Sequence, residues 1–589
     1  MPGYQAPLRD FDFCLNELFD YASHISLPGF EGFTADVVAQ VLEEGAKFCE
    51  QELYPLNRSG DEEGCSFNDG AVSTPKGFKE AYRLFCEGGW PALTCDPDHG
   101  GQGMPHMVNF LFEEMMGSAN LSFCLYPGLT RGAYVAISRF GTEDQKARYA
   151  PRLASGEWAG AMCLTEAGSG TDLGLLKTQA VPNGDDSYAV TGTKIFISAG
   201  DHDFTPNIVY LVLARLPDAP KGTKGISLLL VPKFLSDAEG KLGERNAVSC
   251  GSIEHKMGMT ASATCTMNFD GAKGWLVGEP HQGLKAMFSM MNTERIAVGV
   301  QGLSVAEASY QNAVAYARER LQGRSPRGPQ LPQKPADPII VHPDVRRMLL
   351  LQRAMAEGGR MLALWTAQAL DVSERHADLA VRQQADGFVA LMTPVVKAFL
   401  TDIGSECASH GIQVLGGHGF IRANGQEQYA RDIRVTQLYE GTNGVQSLDL
   451  LGRKVIQLNL FDHFARPILA FHEQCRGDER IAEFSEPVSA ALDLLEDATL
   501  SVRNAAAASP DEISAVAVDY LRLFALTALA FLWARAAGVC LPKSNDDFHR
   551  AKLATARFYM QRILPQTTAL HAAIIAGAPP VMELDEAMF

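Results

Sequence analysis

The chain has 589 residues, 46% apolar and 20% charged, a composition that suits a globular protein and argues against a disordered or collagen-like one. Against 51 lysines and arginines stand 69 aspartates and glutamates, a net charge of −18 at pH 7, so a phosphate backbone is repelled and nucleic acid is not an expected partner. The length implies several domains around large cores. At the start, MPGYQAPLRDFDF has no basic stretch leading into an apolar run, and no secretory leader is expected there.

From residue 1 to 159 the pattern is helical. Val37, Val38, Val41 and Leu42 share one face, as do Phe110, Leu111 and Met115, and the glycine-rich DHGGQGMP breaks the run. From 160 to 283 the texture turns to strands: Tyr188–Ser198, the run from Ile208 and the run from Gly225 are rich in β-branched and aromatic residues, with no regular helices between them. A mainly antiparallel sheet or barrel is therefore predicted for this stretch. Helical periodicity returns over 284–460, interrupted by a proline- and glycine-rich stretch, 323–343, that reads as an exposed excursion.

A last helical zone, 461–589, is rich in alanine and leucine. Its apolar run Leu523–Ala534 is too short to cross a bilayer and reads as a buried helix, with membrane-surface docking through Phe531–Arg535 as the lesser reading. The 12 cysteines lie scattered without a C-x-x-C, as cytoplasmic thiols would, and no metal site is expected. The C-terminal ELDEAMF is neither a prenylation nor a peroxisomal address.

The glycine clusters fail the dinucleotide fingerprint: Gly168, Gly170 and Gly174 are spaced too widely, and GGHGF runs into Arg422 where a third glycine is needed. Three segments carry possible chemistry. In Cys163–Asp172 (CLTEAGSGTD), a strand end meets a loop of small and hydroxylated residues whose backbone N–H groups can approach an anion. In KIFISAG, Phe196 and Ser198 lie two apart on a strand, which suits covering and hydrogen-bonding a flat heterocycle. The third is QVLGGHGF followed by RDIRVTQLYEGTNG, in which Glu440 has apolar Leu438 and Tyr439 before it; desolvation raises the basicity of such a carboxylate. Taken singly, the three read as well or better as an ordinary loop, a core phenylalanine beside a satisfied serine, and a surface glutamate.

In this order and spacing the segments resemble the acyl-CoA dehydrogenase family of flavoenzymes over roughly Thr34–Lys454. CLTEAGSGTD and RDIRVTQLYEGT match the family's signatures; QVLGGHGF departs downstream at Ala423, and Pro343 and Gly444 stand where cofactor-binding amides are usual. Within the family, an N-terminal extension, the ERLQGRS string and an added C-terminal helical zone resemble 3-methylmercaptopropionyl-CoA dehydrogenase-like members.

The resemblance implies a mainly α, α+β chain in four parts: an N-terminal helical domain (1–159), a middle antiparallel β-barrel (160–283), a four-helix bundle with the catalytic base (284–460) and an additional C-terminal helical domain (461–589). It implies FAD and α,β-dehydrogenation of an acyl-CoA thioester in fatty-acid β-oxidation or related catabolism, with electron-transferring flavoprotein as acceptor, in a cytoplasmic homodimer. Glu440 would be the base and Arg295 would orient or neutralise, while Glu294, just before Arg295, is the alternative base.

Met162, Leu164, Thr165 and Thr171 would line the flavin and its phosphates, and Phe196 and Ser198 would cover the ring. Arg320 would reach the pyrophosphate of a neighbouring subunit's FAD; Gln413 and Gly417 would meet the adenosine half, with Thr442 beside the cofactor. Thr171, Glu294, Arg295 and Gly441 would face the acyl-CoA. The competing readings are an acyl-CoA oxidase, which passes electrons to oxygen, and a catalytically silent acyl-CoA-binding or assembly protein.

Overall fold

The computed structural model of the chain describes residues 3–589. They divide into two compact units, one of residues 44–105 and 115–297, the other of 3–43, 106–114 and 298–589.

The first unit is organised by a seven-stranded sheet: β1 (Ala159–Cys163), β2 (Gln179–Pro182), β3 (Tyr188–Ser198), β4 (Ile208–Arg215), β5 (Ile226–Pro232), β6 (Val248–Ile253) and β7 (Thr264–Leu276). The order is β6-β7-β3-β2-β4-β1, and β5 pairs with both β7 and β4. Its pairs are antiparallel except β1 and β2 against β4, so the expected antiparallel pattern holds apart from the two parallel pairings on β4.

Strands β4 and β5 are buried on both faces, and alternation sorts their side chains. Val209, Leu211, Leu213, Leu228 and Leu230 pack with Tyr134 and Ile137 of the helix Leu121–Phe140 and with Tyr149 and Leu153 of the helix Glu143–Ala154. Tyr210, Val212, Leu229 and Val231 point the other way, onto Val190, Met267 and Phe269. Central strands with no wet face are stiff, and the loops at their ends inherit fixed positions.

The second unit is helical. Pro343–Arg375 and Leu379–Leu415 are its long central helices, and Asp511–Cys540 packs on the former at Gly358. A Cβ on Gly358 would lie 2.9 Å from Trp533 Nε1, so the missing side chain allows the approach in which Trp533 Nε1 donates to the Ala354 carbonyl at 3.2 Å. Leu523–Ala534 is wholly buried, as its apolar run requires, and Phe531 and Trp533 are core residues rather than a membrane-facing surface. Leu379–Phe420 and Asp511–Lys543 are apolar and long enough to cross a membrane, yet 83% and 78% of their most apolar windows are buried inside the protein.

A charged cluster sits in this core. Arg360 donates to Glu114 at 3.0 Å, to Glu307 at 2.9 Å and to Asp10, while Lys552 pairs with Glu357 at 2.8 Å and with Asp10. It ties the N-terminal segment and the last helical zone to the central helices. Burial pushes the Glu114 carboxyl up to about 7 against the pull of Arg360. All described cysteines are free thiols.

Candidate active site

In the sheet unit the site begins where β1 runs out. Met162 is 7% exposed and belongs to the sheet's apolar core; Leu164 and Thr165, just beyond, are half-buried. They are held against β3, where Ile195 N–H donates to the Thr165 carbonyl at 2.9 Å and Lys194 Nζ to the Leu164 carbonyl at 3.0 Å.

Glu166 then closes the loop on itself. Its carboxylate accepts the backbone N–H of Lys177 at 2.7 Å and of Thr178 at 3.0 Å, the Thr178 hydroxyl at 2.6 Å and Lys194 Nζ at 2.9 Å. Burial would raise this carboxyl, but the bonds from Thr178 and Lys194 outweigh it and hold it at about 2. Lys194 is fully buried, so the pair is a fixed internal clasp rather than a surface salt bridge. Between its ends, Gly168 and Gly170 have open space where a side chain would be, and Thr171 is exposed. Backbone amides there are accessible to an anion.

Phe196 owes its position to a bulge. Cys265 pairs with Ile197 but Met267 with Lys194, so β3 carries one residue more than β7 over this step. Phe196 takes φ 58° and Ala199 φ 51°, a left-handed backbone uncommon outside glycine. Phe196 is 60% exposed although Ile197 beside it is 1% exposed. Ser198, opposite Thr264, is half-buried. An outward-turned aromatic on a strained strand is a functional signal, because core packing does not account for it.

Glu294 and Arg295 lie on the helix Gly283–Glu319. Glu294 is 7% exposed, with Arg131 NH2 at 3.5 Å from its carboxylate. Arg295 is half-buried, its guanidinium 5.8 Å from the Phe288 ring centre.

In the helical unit, Glu440 occupies the turn between the short 3-10 helix Arg434–Gln437 and the helix Asn443–Leu448. It is half-buried at φ 54°, followed by Gly441 at φ 84°. Consecutive left-handed residues persist only when their surroundings impose them, and here they do. Gln446 Nε2 donates to the Glu440 carbonyl at 2.9 Å, and Lys397 Nζ to the Gly441 carbonyl at 2.8 Å and to Asn443 Oδ1 at 2.9 Å. Asn443 Nδ2 in turn donates to Asp402 at 2.7 Å and to the Ala398 carbonyl at 3.1 Å. The Thr442 hydroxyl caps the next helix by accepting from Val445 N–H at 3.4 Å, and the Tyr439 hydroxyl donates to Gln301. The carboxylate thus stands on a turn that cannot relax into the neighbouring helix.

Elsewhere in this unit, Arg320 is exposed at the end of its helix, where its N–H donates to the Tyr316 carbonyl at 2.9 Å. The Tyr316 hydroxyl lies 2.8 Å from His418 Nδ1, so the Arg320 segment adjoins the 3-10 turn Gly416–Phe420. Gln413 and Gly417 are exposed there, and nothing lies within 4 Å of where a Cβ on Gly417 would sit.

Sequence profiles of this kind of chain meet it along most of its length. Residues 38–157, 161–272 and 281–455 match the N-terminal, middle and C-terminal domains of acyl-CoA dehydrogenases, and 464–585 a profile described as acetyl-CoA dehydrogenase C-terminal like. A 3-methylmercaptopropionyl-CoA dehydrogenase of Ruegeria pomeroyi is 42% identical over 97% of this chain and 98% of its own. The chain belongs to the acyl-CoA dehydrogenase family. It is an oxidoreductase acting on acyl-CoA, and the family's members are flavoproteins.

A broad-specificity linear acyl-CoA dehydrogenase of Mycobacterium tuberculosis is 33% identical over the full length of both chains. Among solved structures, Caenorhabditis elegans ACDH-11 in complex with C11-CoA superposes with a TM-score of 0.77 at 21% identity, covering 95% of this chain and 91% of that one. Butyryl-CoA dehydrogenase from Megasphaera elsdenii gives 0.58 at 24% identity over 71% and 98%. These likenesses show the fold.

The family's flavin fits the residues present. An exposed aromatic on a bulge, two half-buried residues at a strand end and a loop with accessible amides are what a ring and its phosphates need. Motif reading missed the residues that hold this geometry: Glu166 as a clasp, Lys194, Arg131, Lys397, Asn443 and Gln446. One signal was available, a lysine within Val395–Leu400, an otherwise apolar helical run.

Proposed function

We propose that Glu440 is the base of an FAD-dependent α,β-dehydrogenation that turns an acyl-CoA thioester into the trans-2-enoyl-CoA. The observation that carries this is the Glu440–Gly441 turn, left-handed at both residues and fastened by Gln446 and Lys397. A thioester α-proton is far too weakly acidic to leave unaided, so a fixed base must be combined with stabilisation of charge on the carbonyl oxygen. The Glu440 carboxylate takes the α-proton, and its backbone N–H, presented by the turn, donates to the thioester oxygen. Bound FAD supplies the acceptor for the β-hydrogen and its electron pair.

In this reading Leu164, Thr165, Thr171, Phe196 and Ser198 hold the ring and its phosphates, with Met162 supporting them from the core. Arg320, Gln413, Gly417 and Thr442 serve the nucleotide end. Arg295 balances charge near the substrate, and Glu294 is held by Arg131 rather than acting as base. The middle sheet works as a closed barrel, the helices of 284–460 as a four-helix bundle, and the four-part division at 159, 283 and 460 marks the working domains. The enzyme is a cytoplasmic homodimer that hands its electrons to electron-transferring flavoprotein.

The test is anaerobic addition of acyl-CoAs of graded chain length to the purified yellow protein. Bleaching of the flavin by at least one of them, reversed by electron-transferring flavoprotein without release of hydrogen peroxide under air, is the expected result. Peroxide release would make it an oxidase, and no bleaching across the panel would make it a silent binder.

A further inference from the structure

Lys194 places a charge inside the apolar sheet. Its side chain is fully buried on β3, and its Nζ donates to Glu166 at 2.9 Å and to the Leu164 carbonyl at 3.0 Å. Taking an ammonium and a carboxylate out of water is costly, and well-packed apolar side chains often stabilise such a place as well or better. Stability alone is therefore a weak account of the pair. Burial pulls Lys194 down from the usual lysine range and the Glu166 carboxylate opposes that pull. The neighbouring Cys163 thiol, pushed up to about 12 by burial, is uncharged.

Beyond Glu166, what the ammonium touches is backbone. The Leu164 carbonyl and the Thr165 N–H belong to one trans peptide and point in opposite directions. Held by Lys194 on its carbonyl side, that peptide presents the Thr165 N–H away from the lysine, where it meets no acceptor among the described residues. The next peptide is fixed as well: the Thr165 carbonyl accepts the Ile195 N–H at 2.9 Å, and the Glu166 N–H donates to the Ser169 carbonyl at 2.9 Å. The direction of the Thr165 N–H is thus set by the protein before any ligand arrives.

A cationic donor on a peptide carbonyl draws electron density toward itself. In a surrounding of low dielectric, the N–H across the same peptide then becomes the stronger donor. Uptake of the β-hydrogen with its electron pair adds one negative charge to a flavin, while the α-proton goes to Glu440. A strengthened donor aimed at the ring therefore favours the reduced form over the oxidised one.

Given the flavin site proposed above, on which this depends, we infer that Lys194 is a positioning residue for the reduction: anchored on Glu166, its ammonium turns and polarises the Leu164–Thr165 peptide so that the Thr165 N–H donates to the ring and raises its reduction potential. Glu166 is the counter-ion that holds the ammonium in place and tempers its charge. The two side chains act on the ring with opposite sign, which a purely structural clasp would not do.

The test is the midpoint potential of the bound flavin, measured by reductive titration against a reference dye without substrate. Wild type is compared with Glu166→Gln, Lys194→Met and the double variant carrying both changes. Lys194→Met should favour the oxidised flavin by at least about tenfold in the equilibrium constant, a fall of about 30 mV for a two-electron couple. The double variant should fall likewise; it leaves no unpaired buried carboxylate and serves where Lys194→Met alone does not fold. Glu166→Gln, which keeps the ammonium, should hold the wild-type potential or exceed it. An unchanged potential in a flavin-loaded Lys194 variant would overturn the assignment, as would an equal fall in Glu166→Gln, which would show a clasp acting through structure alone. Wild-type protein that takes up no FAD on reconstitution would instead overturn the flavin site itself.

Discussion

Glu294 and Glu440 are the same side chain in opposite settings. Glu294 stands in the middle of a long helix, 7% exposed, with a guanidinium facing it. Glu440 stands on a left-handed turn whose two carbonyls are clamped by Gln446 and Lys397. A guanidinium at 3.5 Å engages the Glu294 carboxylate, while a strained turn presents a carboxylate and its N–H in one fixed direction. The difference teaches that the proposed choice of Glu440 over Glu294 rests on the backbone beneath each glutamate, since both occur in sequence contexts the family uses for a base.

The harshest way to break the comparison is Arg131→Leu. Removing the cation from a buried pair costs about 3–5 kcal/mol, so the melting temperature should fall sharply; an unchanged melt would show that Arg131 does not hold Glu294. Next comes Lys397→Met, which removes a charged donor worth about 1.5–3 kcal/mol. If that loss is felt in the transition state, kcat falls about 10- to 100-fold with KM little altered; a rise in KM at constant kcat would mean that Lys397 serves binding instead. Gln446→Ala deletes a neutral bond worth about 0.5–1.5 kcal/mol, so kcat should drop about two- to tenfold, and a variant at full rate would show that the turn is held without it.

A further effect, on the melt rather than on turnover, is a pH dependence that belongs to neither glutamate. The Glu114 carboxyl, raised to about 7 chiefly by burial, keeps a proton in the folded chain that the unfolded one, titrating near 4.5, has released. The contribution of that proton to stability is complete below the lower value and is lost as pH rises through the upper one. The melting temperature should therefore decline across this interval, and Glu114→Gln should flatten the decline. A dependence that survives the substitution would place its origin elsewhere in the Arg360 cluster.

Much of this was readable in advance because it is local. The strand-rich middle, the buried Leu523–Ala534 helix and the signature around Glu440 each lie within a few neighbouring residues. What stayed hidden joins distant positions. Glu166 and Lys194 are 28 residues apart, Lys397 and Gly441 44, and no periodicity relates them. Plain alternation put Phe196 and Ser198 on one side of a strand; the bulge that turns Phe196 outward depends on the register with β7, which one strand alone does not encode. The proline-rich stretch was legible as an excursion but not as a loop wound on Asp337, since that carboxylate's partners are backbone amides, which every residue but proline carries.

The most direct test of the account is rapid mixing of an acyl-CoA with flavin-loaded Glu440→Gln and Glu294→Gln under anaerobic conditions. Flavin reduction should slow by at least about 10³-fold in the first and persist within about tenfold of wild type in the second. Loss of reduction in Glu294→Gln with near-normal reduction in Glu440→Gln would contradict it and move the base to the helix.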